Sequence, residues 1–242
     1  MDPVTAGFFC WQFFTIISNS GLMCCMIAAI IPALNEEKTI GNVITAIKNS
    51  GVCAEIIVVS DGSTDRTAEV AHRAGATRVI SNAQRGGKGA ALRFGLSATK
   101  APIVLFCDAD LIGIKPTHIQ SLVAPVISGA CAMNVGLRDR GQWFFAIERL
   151  LQLISGERVF AREIFESLPT EVSRGYMVEI AMNYYCKLHS LKIKKTPLIG
   201  LTIRKKMQKI GFLRGLVGYV TMFRELFIAM IMLRIARIQG KL

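Results

Sequence analysis

Ile103-Val104-Leu105-Phe106-Cys107-Asp108-Ala109-Asp110 is an apolar run that ends on two carboxylates one residue apart. A short, unbroken apolar run is what a strand needs when helices cover both faces of a mostly parallel sheet. Ligands of such sheets sit beyond the carboxyl ends of the strands, so Asp108 and Asp110 are expected at the ligand-facing edge. Two hard oxygen donors on one short turn suit Mg²⁺ or Mn²⁺, which fills its shell with water and phosphate oxygens. Taken alone, the same pair also suits an ordinary solvated turn.

Outward from this run the chain alternates strand and helix signals. Met26 to Ile31 predicts a strand, Lys38 to Asn49 a helix with Ile40, Val43, Ile44 and Ile47 on one face, and Glu55 to Ser60 a second buried strand. Asp65 to Ala74 predicts a helix, Thr77 to Ile80 a short strand and Lys88 to Thr99 a further helix leading into Ile103. Repeated β-α-β units cross over with one hand and place these strands parallel in one sheet. The turns at Asn35-Glu36-Glu37, Asp61-Gly62-Ser63 and Asp108-Ala109-Asp110 are therefore expected on one rim.

Each turn has a structural and a chemical reading. Asn35 is a candidate N-cap, as is the Asp61 to Asp65 segment, while Asp61 is also placed to accept hydrogen bonds from a base edge. Arg85-Gly86-Gly87-Lys88-Gly89 puts glycines and cations at a helix start, where backbone N–H groups and the positive helix end suit phosphate oxygens. The chain lacks the P-loop spacing and has no G-x-G-x-x-G after the first strand, which disfavours ATPase and dinucleotide chemistry.

Charge and cysteine usage narrow the class further. Residues 1 to 186 hold 16 Lys+Arg and 16 Asp+Glu, whereas residues 187 to 242 hold 13 Lys+Arg against Glu225 alone, so the whole net charge of +12 lies in the last quarter. Gly211 to Ile238 interleaves those cations with Phe212, Leu213, Leu216, Val217, Val220, Phe223, Leu226, Phe227, Ile231 and Leu233. No uncharged piece there reaches the roughly 20 residues that span a bilayer, so an amphipathic helical tail on an anionic membrane, against its own core or in a homodimer is expected. Nucleic acid is disfavoured because no stacking platform or reading module is present. Seven scattered Cys with no zinc spacing point to reduced, buried thiols in a cytoplasmic protein, peripheral on the cytoplasmic face of the membrane if the tail binds there. Residues 1–25 form an apolar extension, 26–205 the folded domain and 206–242 the basic tail; Met23 or Met26 is one reading of the natural start.

Four motifs in order, I-I-P-A-L-N-E-E (30 to 37), V-V-S-D-G-S-T-D-R-T (58 to 67), G-G-K-G-A-A-L (86 to 92) and D-A-D (108 to 110), resemble the family 2 glycosyltransferases, which use the nucleotide-diphospho-sugar-binding GT-A fold. The resemblance implies an α/β GT-A domain in which Pro32, Ala33, Leu34, Asn35, Glu36, Asp61 and Gly62 hold the nucleoside. Lys88, Asp108 and Ala109 would face the diphosphate or sugar, and Asp110 with Asp108 the divalent metal. Ile154 to Glu163 and Gly175 to Ile180 resemble the acceptor side of the glucosyl-3-phosphoglycerate synthase subgroup. That nominates Ser155, Gly156, Glu157, Arg158 and Tyr176 for the acceptor, and Glu179, Glu157 and Asp110 for the chemistry. The competing structural readings put Arg162 and Glu163 at the opening of a short helix and Glu179 on the polar face of a Met177 to His189 helix. The subgroup carries a metal-ligating His after its second helix-rich segment, and Gly200 to Lys206 offers none.

Three functions follow as expectations. The first is transfer from a UDP- or GDP-sugar to a lipid-phosphate acceptor, the second is the same chemistry on a small anionic acceptor such as a phosphoglycerate, and the third is a GT-A module that binds nucleotide without turnover. Sugar-phosphate nucleotidyltransferases are disfavoured because P-A-L-N-E-E replaces their Gly-rich, Arg-bearing start.

Overall fold

The computed structural model describes residues 27–138, 155–170 and 177–203. Both terminal segments of the sequence reading, 1–25 and 206–242, and Tyr176 lie outside the described residues. The elements are β1 (Ile27–Ala33), α1 (Ile40–Ser50), β2 (Glu55–Asp61), α2 (Thr67–Arg73), β3 (Arg78–Asn82), α3 (Lys88–Ser97), β4 (Ile103–Phe106), β5 (Leu111–Ile112) and α4 (Pro116–Ile127). They continue with β6 (Met133–Arg138), β7 (Arg158–Ala161), α5 (Glu163–Glu166), α6 (Met177–Leu188), β8 (Ile193–Leu198) and β9 (Thr202–Ile203). The seven-stranded sheet has the order β3-β2-β1-β4-β7-β6-β8, and β5 pairs with β9 in a separate two-stranded ribbon.

β1, β2, β3 and β4 are parallel, as the repeated β-α-β reading requires. β4 explains why an uninterrupted apolar run was needed. Ile103, Leu105 and Cys107 enter the core under α1 and α4, while Val104 and Phe106 enter the one under α3, α5 and α6. Period-2 alternation thus spends every residue of the run on one face or the other. On the second face Phe106 meets Phe160 edge-on at 4.7 Å and Phe165 at 5.2 Å. Such pairs contribute about 1 kcal/mol each beyond the area they bury.

Past β4 the sheet departs from simple repetition. β7 is antiparallel to both β4 and β6, with Phe106 opposite Arg158 and Val135 also opposite Arg158. An antiparallel strand presents its amino end where its neighbours present their carboxyl ends. The Ser155-Gly156-Glu157 turn before β7 consequently reaches the same rim as Asp108 and Arg138. β8 closes the sheet parallel to β6, placing Leu198 opposite Arg138.

The β5–β9 ribbon is tied to this frame by His118 and by the buried Leu111 and Leu201, and a glycine contact joins its two strands. His118 Nδ1 accepts the Lys115 N–H at 3.2 Å, leaving Nε2 to donate to the Ile199 carbonyl at 3.1 Å. Burial, and next the nearby Lys115 charge, keep the His118 ring below the usual histidine range, against the Ile199 hydrogen bond. Gly113 has φ +78 and a Cβ there would lie 2.5 Å from the Gly200 carbonyl oxygen, so the two backbones approach as only glycine allows.

Candidate active site at the sheet rim

The expected convergence of the first two turns is present as a set of hydrogen bonds. Asn35 adopts φ 56 and its Oδ1 accepts the Thr64 N–H at 2.8 Å, while its own N–H donates to Ser63 Oγ at 3.2 Å. The Glu36 N–H donates to Thr67 Oγ1 at 2.8 Å and the Glu37 N–H to Asp65 Oδ2 at 3.2 Å. Asn35 therefore clips one turn to the next and does not cap α1, whose N-cap is Thr39 without a side-chain cap bond. Pro32 is half-buried, Ala33 buried and Leu34 half-buried along the end of β1.

Asp61 and the Gly-rich segment differ from expectation in an informative way. Asp61 is 5% exposed, and its Oδ1 and Oδ2 accept the N–H groups of Gly86 at 2.9 Å and Gly87 at 2.7 Å. Two of the N–H groups expected to face phosphate thus hold Asp61, and that carboxylate fixes the loop opening α3. Gly62 (φ +74) meets the backbone of Arg85 so closely that an added Cβ would sit 3.2 Å from its N.

The centre of the site is a buried network of charges. Lys88, the first residue of α3, places Nζ 2.8 Å from Asp108 Oδ1 and 2.7 Å from Glu179 Oε1. Arg138, the last residue of β6, donates from Nη2 to Asp108 Oδ2 at 2.7 Å and to Glu157 Oε1 at 3.0 Å, and from Nε to Glu157 Oε2 at 2.5 Å. Ser155 Oγ also donates to Glu157 Oε2 at 2.9 Å. Asp108 joins the two faces of the sheet, with Lys88 and Glu179 arriving from α3 and α6, and Arg138 and Glu157 from the ends of β6 and β7.

The electrostatics follow from that arrangement. Burial pushes the Asp108 carboxyl up, but the Lys88 and Arg138 charges outweigh it and hold the group well below the usual carboxylate range. Burial pulls Lys88 down, and Asp108 and then Glu179 more than reverse this, so it stays protonated. Arg138 is held charged in the same way by Glu157 and Asp108, and it also feels the charge of Asp110.

Gly156 is the steric counterpart of this network. A Cβ at Gly156 would lie 2.5 Å from Asp108 Oδ1 and 2.6 Å from its Cγ, so the turn can lie beneath the carboxylate only as glycine. Glu157 is 1% exposed and has both oxygens committed, and Ser155 is buried beside it. Arg158 was expected at the acceptor, yet it is 1% exposed on the opposite face of β7. Its Nη2 and Nε donate to the Ser155 carbonyl at 2.6 and 3.2 Å, and its Nη1 to the Glu179 carbonyl at 3.2 Å. Strand alternation turns it inward with Phe160, so it fastens the turn before β7 to the first turn of α6. Ser155, Gly156, Glu157 and Arg158 form the floor under Asp108, and none of them extends a side chain outward for an acceptor.

Glu179 is likewise not on a solvated helix face. It is 2% exposed, and its Oε2 has no hydrogen-bond partner among the described residues. An orphaned buried carboxylate oxygen costs about 1–3 kcal/mol or more, which a hydroxyl-bearing ligand would recover. Arg138 was missed by the sequence reading. Its signal was weaker than the one that exposed Asp108: Met133 to Leu137 stops on a charge, but Asn134 and Gly136 interrupt the apolar pattern.

A divalent cation fits the Asp108-Ala109-Asp110 turn through Asp110. Both Asp108 oxygens are in ion pairs, Ala109 is 3% exposed and packs into the core, and Asp110 is partly open. No group of three or more His, Cys, Asp or Glu able to hold a metal occurs among the described residues. The remaining shell would come from water and ligand phosphates, the usual arrangement for Mg²⁺.

Residues 28–184 match the family model for glycosyl transferase family 2. The chain belongs to glycosyl transferase family 2. Among curated relatives, glucosyl-3-phosphoglycerate synthase of Mycobacterium tuberculosis is 36% identical over 194 residues, covering 64% of this chain and 59% of that enzyme. This family 2 chain thus spans 59% of the length of that relative. A crystal structure of the Mycobacterium tuberculosis synthase with Mn²⁺, UDP-glucose and phosphoglyceric acid aligns at TM-score 0.64 and 34% identity, covering 74% of this chain and 71% of that one. Another, with Mg²⁺ and UDP, aligns at TM-score 0.65 and 32% identity, covering 81% and 75%. The α/β sheet flanked by helices is accordingly the GT-A fold expected from the four motifs.

Proposed function

We propose that the protein transfers a glycosyl group from a UDP-sugar to the hydroxyl of a small phosphate- or carboxylate-bearing acceptor of the phosphoglycerate type, with Mg²⁺ or Mn²⁺. The observation that carries this reading is Lys88 held between Asp108 and Glu179 on the rim beside Asp110. The solved relatives with UDP-glucose, Mn²⁺ and phosphoglyceric acid support the donor and acceptor classes.

In this reading the anomeric carbon–oxygen bond breaks and the electron pair leaves with the nucleoside diphosphate, while the acceptor hydroxyl oxygen bonds to the anomeric carbon and its proton passes to the released diphosphate. Lys88, preorganised and kept charged by its neighbours, faces the negative charge that develops on the departing phosphate. Asp110 would hold the divalent cation, which supplies further neutralisation of that charge when bound. Glu179 Oε2 accepts a hydrogen bond from a hydroxyl of the reacting sugar or the acceptor, and α6 holds it in a dry position where such a bond is strong. Arg138, Glu157 and Arg158 hold these groups in place.

The test is to incubate the purified protein with UDP-glucose, Mn²⁺ and 3-phosphoglycerate and to quantify UDP and glucosylated product. Transfer that is lost in Glu179→Gln and Lys88→Met supports the reading. Absence of both donor hydrolysis and transfer with every UDP- and GDP-sugar would favour a nucleotide-binding module instead.

A second reading, a membrane-bound enzyme with a lipid-phosphate acceptor, is favoured by charge placement. Lys187, Lys192, Lys194 and Lys195 are exposed, no acid occurs from 180 to 203, and Ile199 is 76% exposed one residue past the partner of Arg138 on the rim. No helix among the described residues is long and apolar enough to cross a membrane. Sedimentation with phosphatidylglycerol vesicles but not phosphatidylcholine vesicles, together with transfer to polyprenyl phosphate, would favour this reading over the first.

A further inference from the structure

We propose that the β8–β9 turn and the outer face of the β5–β9 ribbon form a membrane-docking tip, in which Ile199 and Ile112 enter the acyl boundary of an anionic bilayer and the surrounding lysines meet lipid phosphates. The proposal rests on the second reading above only in placing a bilayer beside the rim, and it holds for a small soluble acceptor as well as for a lipid one. Ile112, Ile199 and Phe94 are the exposed large hydrophobic residues among the described residues, and the first two share this projection while Phe94 lies on α3. Ile112 stands opposite Thr202 and both are exposed, whereas Leu111 and its partner Ile203 pack into the core. Strand alternation thus gives the ribbon an outer face, and that face carries an isoleucine.

Ile199 is held outward by a built turn. The Leu201 N–H donates to the Leu198 carbonyl at 3.1 Å and closes the turn, with Gly200 at φ +79 in its third position. His118 Nε2 fixes the Ile199 carbonyl, and the Gly113 backbone lies against Gly200. A side chain presented on such a tip is placed before it binds, so insertion costs little further ordering.

The charges around the tip match an anionic surface. No Asp or Glu occurs from Leu111 to Arg138 or from 180 to 203, while Lys115, Lys194 and Lys195 are exposed. Asp110, the nearest acid in sequence, precedes β5 on the rim and has the Arg138 charge beside it. Lys194 and Lys195 project to opposite faces of β8, a strand at the edge of the sheet, so the turn has a cation on each side. They stand roughly 13–16 Å behind Ile199 along the chain, at about 3.3 Å per residue. With the isoleucines about 5–10 Å deep at the acyl boundary, an extended lysine reaches the level of the phosphates.

The test uses the whole 242-residue chain and co-sedimentation with phosphatidylglycerol vesicles, with phosphatidylcholine vesicles as the neutral comparison. Ile112→Ser with Ile199→Ser should weaken partition to phosphatidylglycerol on the order of tenfold, from the apolar area no longer buried. Lys194→Gln with Lys195→Gln should weaken it by a similar factor through lost attraction to anionic lipid. Ile199→Trp keeps a side chain suited to the interface and should retain binding. Its fluorescence should be quenched by lipids brominated near the headgroup more strongly than that of the wild type, which contains Trp11 and Trp143. Melting curves check that each variant is folded. A wild-type protein that binds neither vesicle overturns both this proposal and the second reading, and leaves UDP-sugar transfer untouched. Equal binding to phosphatidylglycerol by the wild type and the folded isoleucine variant, or no added quenching in Ile199→Trp, overturns the proposal alone and assigns the membrane contact to another part of the chain. Dimer formation that the isoleucine variant abolishes, without vesicle binding, makes the covering partner a second copy and overturns the proposal too.

Discussion

Replacing Gly156 by alanine puts the smallest possible change under the functional centre. The added Cβ would fall 2.6 Å from Asp108 Cγ, whereas relaxed carbon–carbon contacts lie at roughly 3.5–4.0 Å. Either the turn or the carboxylate must move by about 1 Å, and Asp108 is tethered at 2.8 Å to Lys88 and 2.7 Å to Arg138. Overpacking strain together with loosened ion pairs predicts a loss of about 2–4 kcal/mol in stability. For a domain of this size that is roughly 10 °C in Tm. A shift of about 1 Å in a positioning group also costs about 100-fold in kcat/KM. The assay is UDP-glucose transfer at saturating acceptor beside a melting curve. Gly51→Ala is the control: Gly51 has φ +70 at the C-cap of α1 with nothing within 4 Å of an added Cβ, so it should lose about 1 kcal/mol and no activity. Equal activity in Gly156→Ala and wild type would refute the close approach of Gly156 and Asp108 as a catalytic constraint.

Further expectations follow from the same geometry. Because the folded-state pKa of Asp108 is depressed, its ion pairs contribute fully above about pH 4 and are lost as pH falls through the lower folded value. Urea denaturation between pH 5 and 2 should show a shallower stability slope in Asp108→Asn than in wild type, and identical slopes would contradict the ion-paired assignment. Arg158→Met suits the volume and the neighbouring Met133 and Met182, but leaves the buried Ser155 carbonyl without its donors and removes the tie to the Glu179 carbonyl, so a loss of about 2 kcal/mol is expected in the same denaturation assay. Asp61→Ala should raise KM for the UDP-sugar while leaving Tm within a few degrees, because it releases the Gly86 and Gly87 N–H groups that fix the opening of α3.

The half of the site built by simple β-α-β repetition was legible in the sequence. Apolar runs marked β1, β2 and β4, the turns after them fell on one rim, and Lys88 emerged at the start of a helix because glycines announced it. The reading was weaker where a residue's role depends on which way its strand runs. Arg158 follows Glu157 directly and looked equally available, yet alternation on antiparallel β7 turned Glu157 towards Arg138 and Arg158 into the core. Glu179 could be read as solvated because helical periodicity places it without saying what covers it, and the cover is Lys88, 91 residues earlier. Asp61 was chemically plausible as a base receptor because its two shortest hydrogen bonds come from backbone N–H groups, which leave no trace in residue identity, with Asn82 Nδ2 a longer third partner at 3.4 Å.

The Lys88 to Glu179 bond also bears on how the molecule reaches its native state. It closes a loop of 91 residues, and the neighbouring Arg138 to Asp108 bond closes one of 30. Closing long loops costs entropy before any contact repays it, and contacts between residues distant in sequence slow folding. The parallel strands of the first half can assemble on short connections, but the charge network exists only once β7 and α6 have docked. Catalytic competence should therefore be among the last properties regained on refolding, lagging the recovery of sheet and helix signals, and a chain released after β6 would hold the Asn35, Asp61 and Lys88 turns with neither glutamate in place.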